Sequence, residues 1–174
     1  MNAIQTAIAL SFVGVLSLII AYIVNMQAQA VFQDEANAAA QTLADSVANQ
    51  LRVGVASILL PNVRRFNLSA SLPLYSPPFD AFYYEVTLTN EKGVLVVYVD
   101  LTAYRGAGVA ITKASKAVYN VTSIYGVSIC AEGNTPLAQC RCGPGLINLS
   151  KPGCYTVWKM PAPTYVRQVV FAKK

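Results

Sequence analysis

The chain of 174 residues contains no histidine, and only 12% of its residues are charged. Soluble domains usually carry about 25% charged residues. Because histidine is the commonest metal ligand and general base, its absence excludes histidine triads, Cys-x-x-Cys-His haem attachment and most catalytic zinc sites. We therefore expect no enzyme, no cofactor, and no catalytic or metal-binding residue.

Positive charge is also missing from the first 51 residues, whose only charged side chains are Asp34, Glu35 and Asp45. Every Lys and Arg lies at or after Arg52. A secretory signal needs basic residues ahead of its apolar run, and a membrane anchor usually shows them on its cytoplasmic flank. We interpret the chain as one whose charged leader has already been removed.

A long hydrophobic run opens the chain. Residues 1–33 carry no charge, and residues 7–24 are apolar apart from Ser11 and Ser17, which is long enough to span a bilayer. No proline occurs before Pro61. Apolar or small residues continue in steps of three and four, as in a helical stripe, at Phe32, Ala36, Ala39, Leu43, Val47, Leu51, Val55 and Ile58. The pattern predicts one helix over residues 3–59, about 80 Å long.

This helix, residues 1–60, divides into two parts. The stripe in residues 34–60 predicts packing on a domain of the same chain, whereas residues 1–33 are apolar on every side and need lipid or copies of the same helix around them. Small residues that allow close helix approach recur at Ala3, Ala7, Ser11, Gly14, Ser17 and Ala21. The candidate residues for a core of bundled helices are Ile4, Ile8, Phe12, Val13, Leu16, Ile19, Ile20 and Ile23. A permanent single-span anchor is the alternative.

The pattern changes after residue 60. Residues 61–81 hold four of the nine prolines and predict a Pro-rich connection that wraps over the helix. Residues 82–89 and 94–101 flank Asn-Glu-Lys-Gly and predict a β-hairpin. Further strands are expected at residues 107–112, 117–121, 123–130, 155–160 and 165–171. The predicted fold class is α+β: one very long N-terminal α-helix followed by an antiparallel β-sandwich or barrel-like globular head at residues 82–174.

The four cysteines, Cys130, Cys140, Cys142 and Cys154, all lie in the last third of the chain. Zinc sites usually use Cys-x2-4-Cys pairs, which this spacing lacks, so we interpret the cysteines as two disulfides in a loop over residues 130–154. Pairing Cys140 with Cys142 is sterically disfavoured, which leaves two nested or sequential loops. Disulfides imply an oxidising compartment.

Three N-glycosylation sequons begin at Asn67, Asn120 and Asn148, all outside the helix. Attached glycans would supply the solubility that the low charge does not. The basic pairs at residues 64–65 and 173–174 could contact anions, but such pairs are more often plain surface residues. No nucleic-acid partner is expected.

In combination, these features resemble the type IV pilin-like filament subunits, and specifically their archaeal branch of adhesive pilins and archaellins. The resemblance rests on the run NAIQTAIALSFVGVLSLIIAYIV, on its extension FQDEANAAAQTLADSVANQL and on the β-rich head after Pro61. With Met1 as the mature start, Gln5 stands where bacterial members usually carry Glu, which favours the archaeal branch.

The resemblance implies a homopolymer that assembles through its N-terminal helices. The subunit would be anchored in the membrane first, cut by a leader peptidase, and added by assembly machinery to an extracellular cell-surface filament. Surface adhesion is the expected task. The alternatives are an archaellum filament subunit for motility, a monomeric membrane-anchored extracellular binding protein, and, least favoured, an anchored hydrolase.

Overall fold

The computed structural model describes residues 3–71, 79–133, 140–160 and 166–173. Helix α1 spans Ala3–Leu59 without interruption, which confirms the predicted helix. It ends shortly before Pro61, a residue that cannot continue the hydrogen-bond ladder. Antiparallel strands follow, so the predicted α+β fold class is confirmed.

The described strands form two antiparallel sheets. A four-stranded sheet has the order β4-β3-β2-β8, and a five-stranded sheet has the order β1-β9-β5-β7-β6. A short 3-10 turn at Val121–Ser123 precedes β5. The strands are β1 Arg65–Ser71, β2 Ala81–Glu91, β3 Val94–Arg105, β4 Gly108–Asn120, β5 Val127–Glu132, β6 Arg141–Gly143, β7 Leu146–Asn148, β8 Tyr155–Met160 and β9 Val166–Lys173.

The hairpin and the strand at residues 155–160 are confirmed, but other strand predictions are wrong in detail. The two strands expected at 107–112 and 117–121 are one strand, β4, because the intervening Lys113-Ala-Ser-Lys116 forms no turn. The strand expected at 123–130 begins only at Val127, since the 3-10 turn occupies Val121–Ser123. The expected connection at 61–81 contains β1, which pairs with β9, while its segment 72–78 lies outside the described residues.

The second half of α1 completes the core between the two sheets. All eight residues of the predicted stripe are buried, beginning with Phe32 and ending with Ile58. The inward side chains of the strands meet them, including the fully buried Trp158 and Phe171. Residues 3–31, in contrast, are exposed along their whole length.

Two polar side chains of α1 bond to strands at the edges of the sheets. The Gln50 amide donates to the Ser71 carbonyl at 2.9 Å and accepts the Ser71 N–H at 3.0 Å, at the end of β1. The Arg52 guanidinium donates to the carbonyls of Ala117 at 2.9 Å and Val118 at 3.3 Å, on β4. The helix thereby covers one edge of each sheet.

Candidate assembly interface

The exposed segment of α1, residues 3–31, is the candidate functional site. Its apolar side chains are exposed in the part of the chain that the structure describes, and the helix is long and apolar enough to cross a membrane. Burying one large apolar side chain is worth roughly 1.5 to 3 kcal/mol, so the segment requires an apolar environment outside its own chain. The eight candidate core residues have exposed fractions between 42% and 74%: Ile4, Ile8, Phe12, Val13, Leu16, Ile19, Ile20 and Ile23.

The two serines in the apolar run of this segment bond their hydroxyls within the helix itself. The Ser11 hydroxyl donates to the Ala7 carbonyl, and the Ser17 hydroxyl donates to the Val13 carbonyl, each at 2.9 Å. Serine hydroxyls satisfied in this way present no unpaired donor to lipid or to a neighbouring helix. These two serines can therefore be buried without leaving an unpaired donor.

An ion pair and a group of aromatic rings fix the point where the helix leaves the head. Arg105 pairs with Glu35 at 2.5 Å. The same guanidinium lies 5.1 Å from the ring centroid of Phe32 and 5.8 Å from that of Phe79, within range for cation–π attraction. The Phe32 and Phe79 rings also meet edge to face at 5.7 Å. These contacts hold the exposed segment at a defined position relative to the sheets.

The four cysteines form two disulfides, Cys130–Cys142 and Cys140–Cys154, with Cα separations of 6.0 and 5.6 Å. Both separations are ordinary for disulfides. The two loops overlap over residues 140–142, which differs from the nested or sequential loops expected from the sequence. Cys130–Cys142 joins β5 to β6 within the five-stranded sheet, whereas Cys140–Cys154 joins the residue before β6 to the residue before β8 of the four-stranded sheet.

The three sequon asparagines lie on different strands. Asn67 on β1 and Asn120 at the end of β4 are exposed. Asn148 at the end of β7 is half-buried, and its side-chain oxygen accepts the Ser150 N–H at 3.0 Å. The Ser150 hydroxyl in turn accepts the Ile129 N–H at 2.7 Å, so the third sequon is engaged in the fold.

Three acidic side chains of the head are paired with bases. Lys113 lies 3.2 Å from Asp100, Lys159 lies 3.5 Å from Glu85, and Arg167 lies 3.8 Å from Glu132. Within the described residues, no group of three or more His, Cys, Asp or Glu is placed to hold a metal ion.

Sequence reasoning missed one group of exposed apolar residues on the head, which includes Tyr83, Val109 and Ile111. Tyr83 lies on β2 and the other two lie on β4, on either side of β3, so only the strand register brings them together. Nothing in the linear sequence aligns them, although each follows the alternation typical of a strand.

Comparisons with known proteins return no match: no family model, no curated protein and no solved structure matches the chain. The functional interpretation therefore depends on the residues of this chain and their arrangement.

Proposed function

We propose that this chain is the structural subunit of an extracellular type IV pilus-like filament that serves surface adhesion. Residues 3–31 of many copies would bundle in the filament core, and the β heads would form the sheath. One observation supports this most directly: a single helix of 57 residues is buried along one face from Phe32 onward and fully exposed before it. A helix that is apolar all round needs lipid or other helices around it.

In this proposal the subunit is first a membrane protein and then part of a filament. Before assembly the helix spans the membrane, a leader peptidase trims the chain, and assembly machinery then moves the helix into the filament. The two disulfides support an extracellular location for the head, because disulfides persist in oxidising compartments. The exposed Asn67 and Asn120 are the sequons best placed to carry glycans.

The proposed role is structural, not enzymatic. Two acidic side chains of the head, Glu85 and Asp100, form ion pairs with lysines on neighbouring strands, which is typical of a solvated surface. In water, burial of apolar side chains would drive helix association at roughly 1.5 to 3 kcal/mol each. Within lipid that gain shrinks, so close packing of the helices must supply the attraction.

Charge substitution in the helix tests this proposal. Val13→Lys or Ile19→Lys would place an ammonium without a partner among packed helices, at a cost of several kcal/mol per subunit. In a lone membrane span the same lysine costs only about 2.5 to 3.5 kcal/mol and can snorkel. We expect both variants to reach the membrane fraction and to yield no filaments when cells are sheared.

Tyr125→Lys is the matched control, because this side chain is fully exposed on the head. It should give normal filament yield in the same shearing assay. Normal yield from both helix variants would contradict a core made from this helix and favour the membrane-anchored monomer. Filaments that drive swimming but hold no cells to a surface would favour the archaellum alternative.

A further inference from the structure

An exposed apolar patch lies on the head at the end from which the helix emerges. On the outer face of the four-stranded sheet, two adjacent rows of side chains carry no charge. Tyr83, Val109 and Ile111 in these rows are 50%, 55% and 68% exposed. We call these rows the basal patch: Ala81, Tyr104 and Val109 in the first row, and Tyr83, Thr102 and Ile111 in the second.

The face changes abruptly from uncharged to charged beyond the basal patch. The next row contains Glu85, Asp100 and Lys113, which lie opposite one another on β2, β3 and β4. Two residues along a strand correspond to about 7 Å. The boundary between the uncharged and the charged surface is therefore sharp.

The helix changes from uncharged to charged at the same level as the sheet. The Gln33 side chain donates to the Ile111 carbonyl at 3.4 Å, so the second row of the basal patch lies beside residue 33. The first charged residues of the chain, Asp34 and Glu35, follow immediately. Helix and sheet thus share one boundary between an uncharged end and a charged remainder.

Helix length places this boundary relative to a bilayer. Residues 3–33 of an α-helix rise by about 46 Å at 1.5 Å per residue. A bilayer is about 30 Å thick in its hydrocarbon core and about 40 to 45 Å thick with its headgroups. When the uncharged run spans the membrane, residue 33 and the basal patch reach the headgroup layer. Tyrosine side chains are enriched at that depth.

Two charged residues at this end of the head have partners within the fold. The Asp80 carboxylate accepts the Gly106 N–H at 2.6 Å. Arg105 is paired with Glu35. These interactions reduce the cost of placing either group near lipid, and the headgroup layer is itself polar.

We propose that, while the subunit is anchored in the membrane, the basal patch lies in the lipid headgroup layer, so that the head rests on the bilayer surface. The partner is the headgroup and upper-chain region of the lipids that surround the helix. This inference rests on the membrane stage of the proposed function. It adds that the head itself, as well as the helix, contacts lipid.

Depth-dependent fluorescence quenching tests the inference on the full chain in phosphatidylcholine vesicles. Variants with one added cysteine, Ile111→Cys, Ser115→Cys or Ile19→Cys, are labelled with a polarity-sensitive dye without reductant, so that both native disulfides stay closed and only the added thiol reacts. Ser115 is the matched control, because it is exposed on the same face of β4 beyond the charged row. Lipids carry a spin label either near the headgroup or deep in the chain.

We expect the dye at residue 111 to show blue-shifted emission and strong quenching by the headgroup-positioned label. The dye at 115 should keep the emission seen in water and little quenching, and the dye at 19 should be quenched by the deep label. If 19 is quenched but 111 behaves like 115, the basal-patch inference is overturned while membrane anchoring stands.

Two further outcomes also contradict the inference. Absence of quenching at residue 19 would mean that the helix does not insert, so the membrane stage and the inference fail together. A blue shift at residue 111 that lipid labels do not quench, and that grows with protein density, would show that a second copy covers the patch in place of lipid.

Discussion

Gly54 lies where α1 packs against Phe171 on β9 of the five-stranded sheet. A Cβ atom at this position would overlap the ring of Phe171, which is fully buried. A helical glycine costs about 1 kcal/mol relative to alanine. At this position the cost is offset by close packing that no larger residue permits. Gly14, in contrast, has no atom of the described chain within 4 Å of its would-be Cβ.

We predict opposite effects for the same substitution at the two glycines. Gly54→Ala should lower the thermal midpoint of the head, because overpacking a core typically costs about 1 to 3 kcal/mol and exceeds the gain in helix propensity. Gly14→Ala should leave that midpoint unchanged or raise it. Thermal unfolding of both proteins in detergent, followed by circular dichroism, measures the difference. A stabilised Gly54→Ala protein would show that Phe171 can move aside.

Tyr84 has a buried hydroxyl without a hydrogen-bond partner among the described residues. Its ring stacks on Phe82 with centroids 6.3 Å apart. Burial raises the pKa of the Tyr84 phenol from 10.0 to about 12. The folded state therefore holds this proton more tightly than the unfolded state does, and stability present below pH 10 is lost as the pH rises towards 12.

Tyr84→Phe should remove both the unpaired buried hydroxyl and the loss of stability that its ionisation causes at high pH. We expect the variant to be at least as stable as the parent at pH 7, since an unpaired buried hydroxyl costs about 1 kcal/mol or more. We also expect its thermal midpoint to fall less steeply between pH 10 and 11. Other tyrosines titrate in both proteins, so the difference between the two curves reports Tyr84. Identical slopes would mean that this hydroxyl reaches solvent or a partner.

At the scale of elements, α1 covers one edge strand of each sheet, β1 and β4. Unpaired edge strands invite pairing with other chains. The Gln50 amide donates to the Ser71 carbonyl and accepts from the Ser71 N–H, as the backbone of an adjacent strand would. The Arg52 guanidinium donates to two carbonyls of β4. Gln50 and Arg52 lie outside the buried stripe of α1. The same helix therefore packs in the core and covers one edge strand of each sheet.

Gln50→Ala should loosen the end of β1. The variant loses two hydrogen bonds, each worth about 0.5 to 1.5 kcal/mol and near the lower value at an exposed site. Hydrogen–deuterium exchange should rise at the Ser71 amide and leave β4 unchanged. Gln50→Glu keeps the acceptor for that amide and should protect it in part. Unaltered exchange in Gln50→Ala would show that water replaces the glutamine without cost.

The accuracy of sequence-based prediction differed between elements for physical reasons. The stripe from Phe32 to Ile58 identified the buried helix face correctly, because one continuous helix has a fixed period. Strand β1 was missed although Phe66, Leu68 and Ala70 alternate, since neighbouring prolines suggested a connection. Strand β4 was predicted as two strands separated by residues 113–116, but these residues continue the strand, and Lys113 and Lys116 form ion pairs with Asp100 and Asp45.

The candidate site was also only partly predictable. The uncharged run itself showed that residues 3–31 need an apolar environment, because a helix without a polar side has no face to turn towards water. The basal patch was not predictable. Its residues come from three strands over a range of 30 positions, from Ala81 to Ile111, and they meet only through the strand register.

At the scale of the whole molecule, the two ends differ in charge. The end from which the helix emerges carries the basal patch, whereas exposed basic residues Arg64 and Arg65 lie at the opposite end. There, the Lys173 ammonium donates to the Leu60 carbonyl at 2.7 Å, where a cation complements the C-terminal end of the helix. This polarity keeps the most hydrated surface of the head far from the apolar segment.

The overlap of the two disulfide loops has a consequence for damage by extracellular proteases. A cut between Cys130 and Cys140 leaves the pieces joined through Cys130–Cys142, and a cut between Cys142 and Cys154 leaves them joined through Cys140–Cys154. After a cut on either side of Arg141, both disulfides join the two pieces. Sequential loops would let a cut there separate the head into two fragments.

We therefore predict that nicked protein migrates as one species on a denaturing gel without reductant and as two after reduction. Limited proteolysis of the full chain, with fragment masses to locate the cut within residues 130–154, makes the measurement. Release of a fragment without reductant would contradict the pairing. In the proposed filament, a subunit that survives a backbone break in this way would keep its place in the polymer.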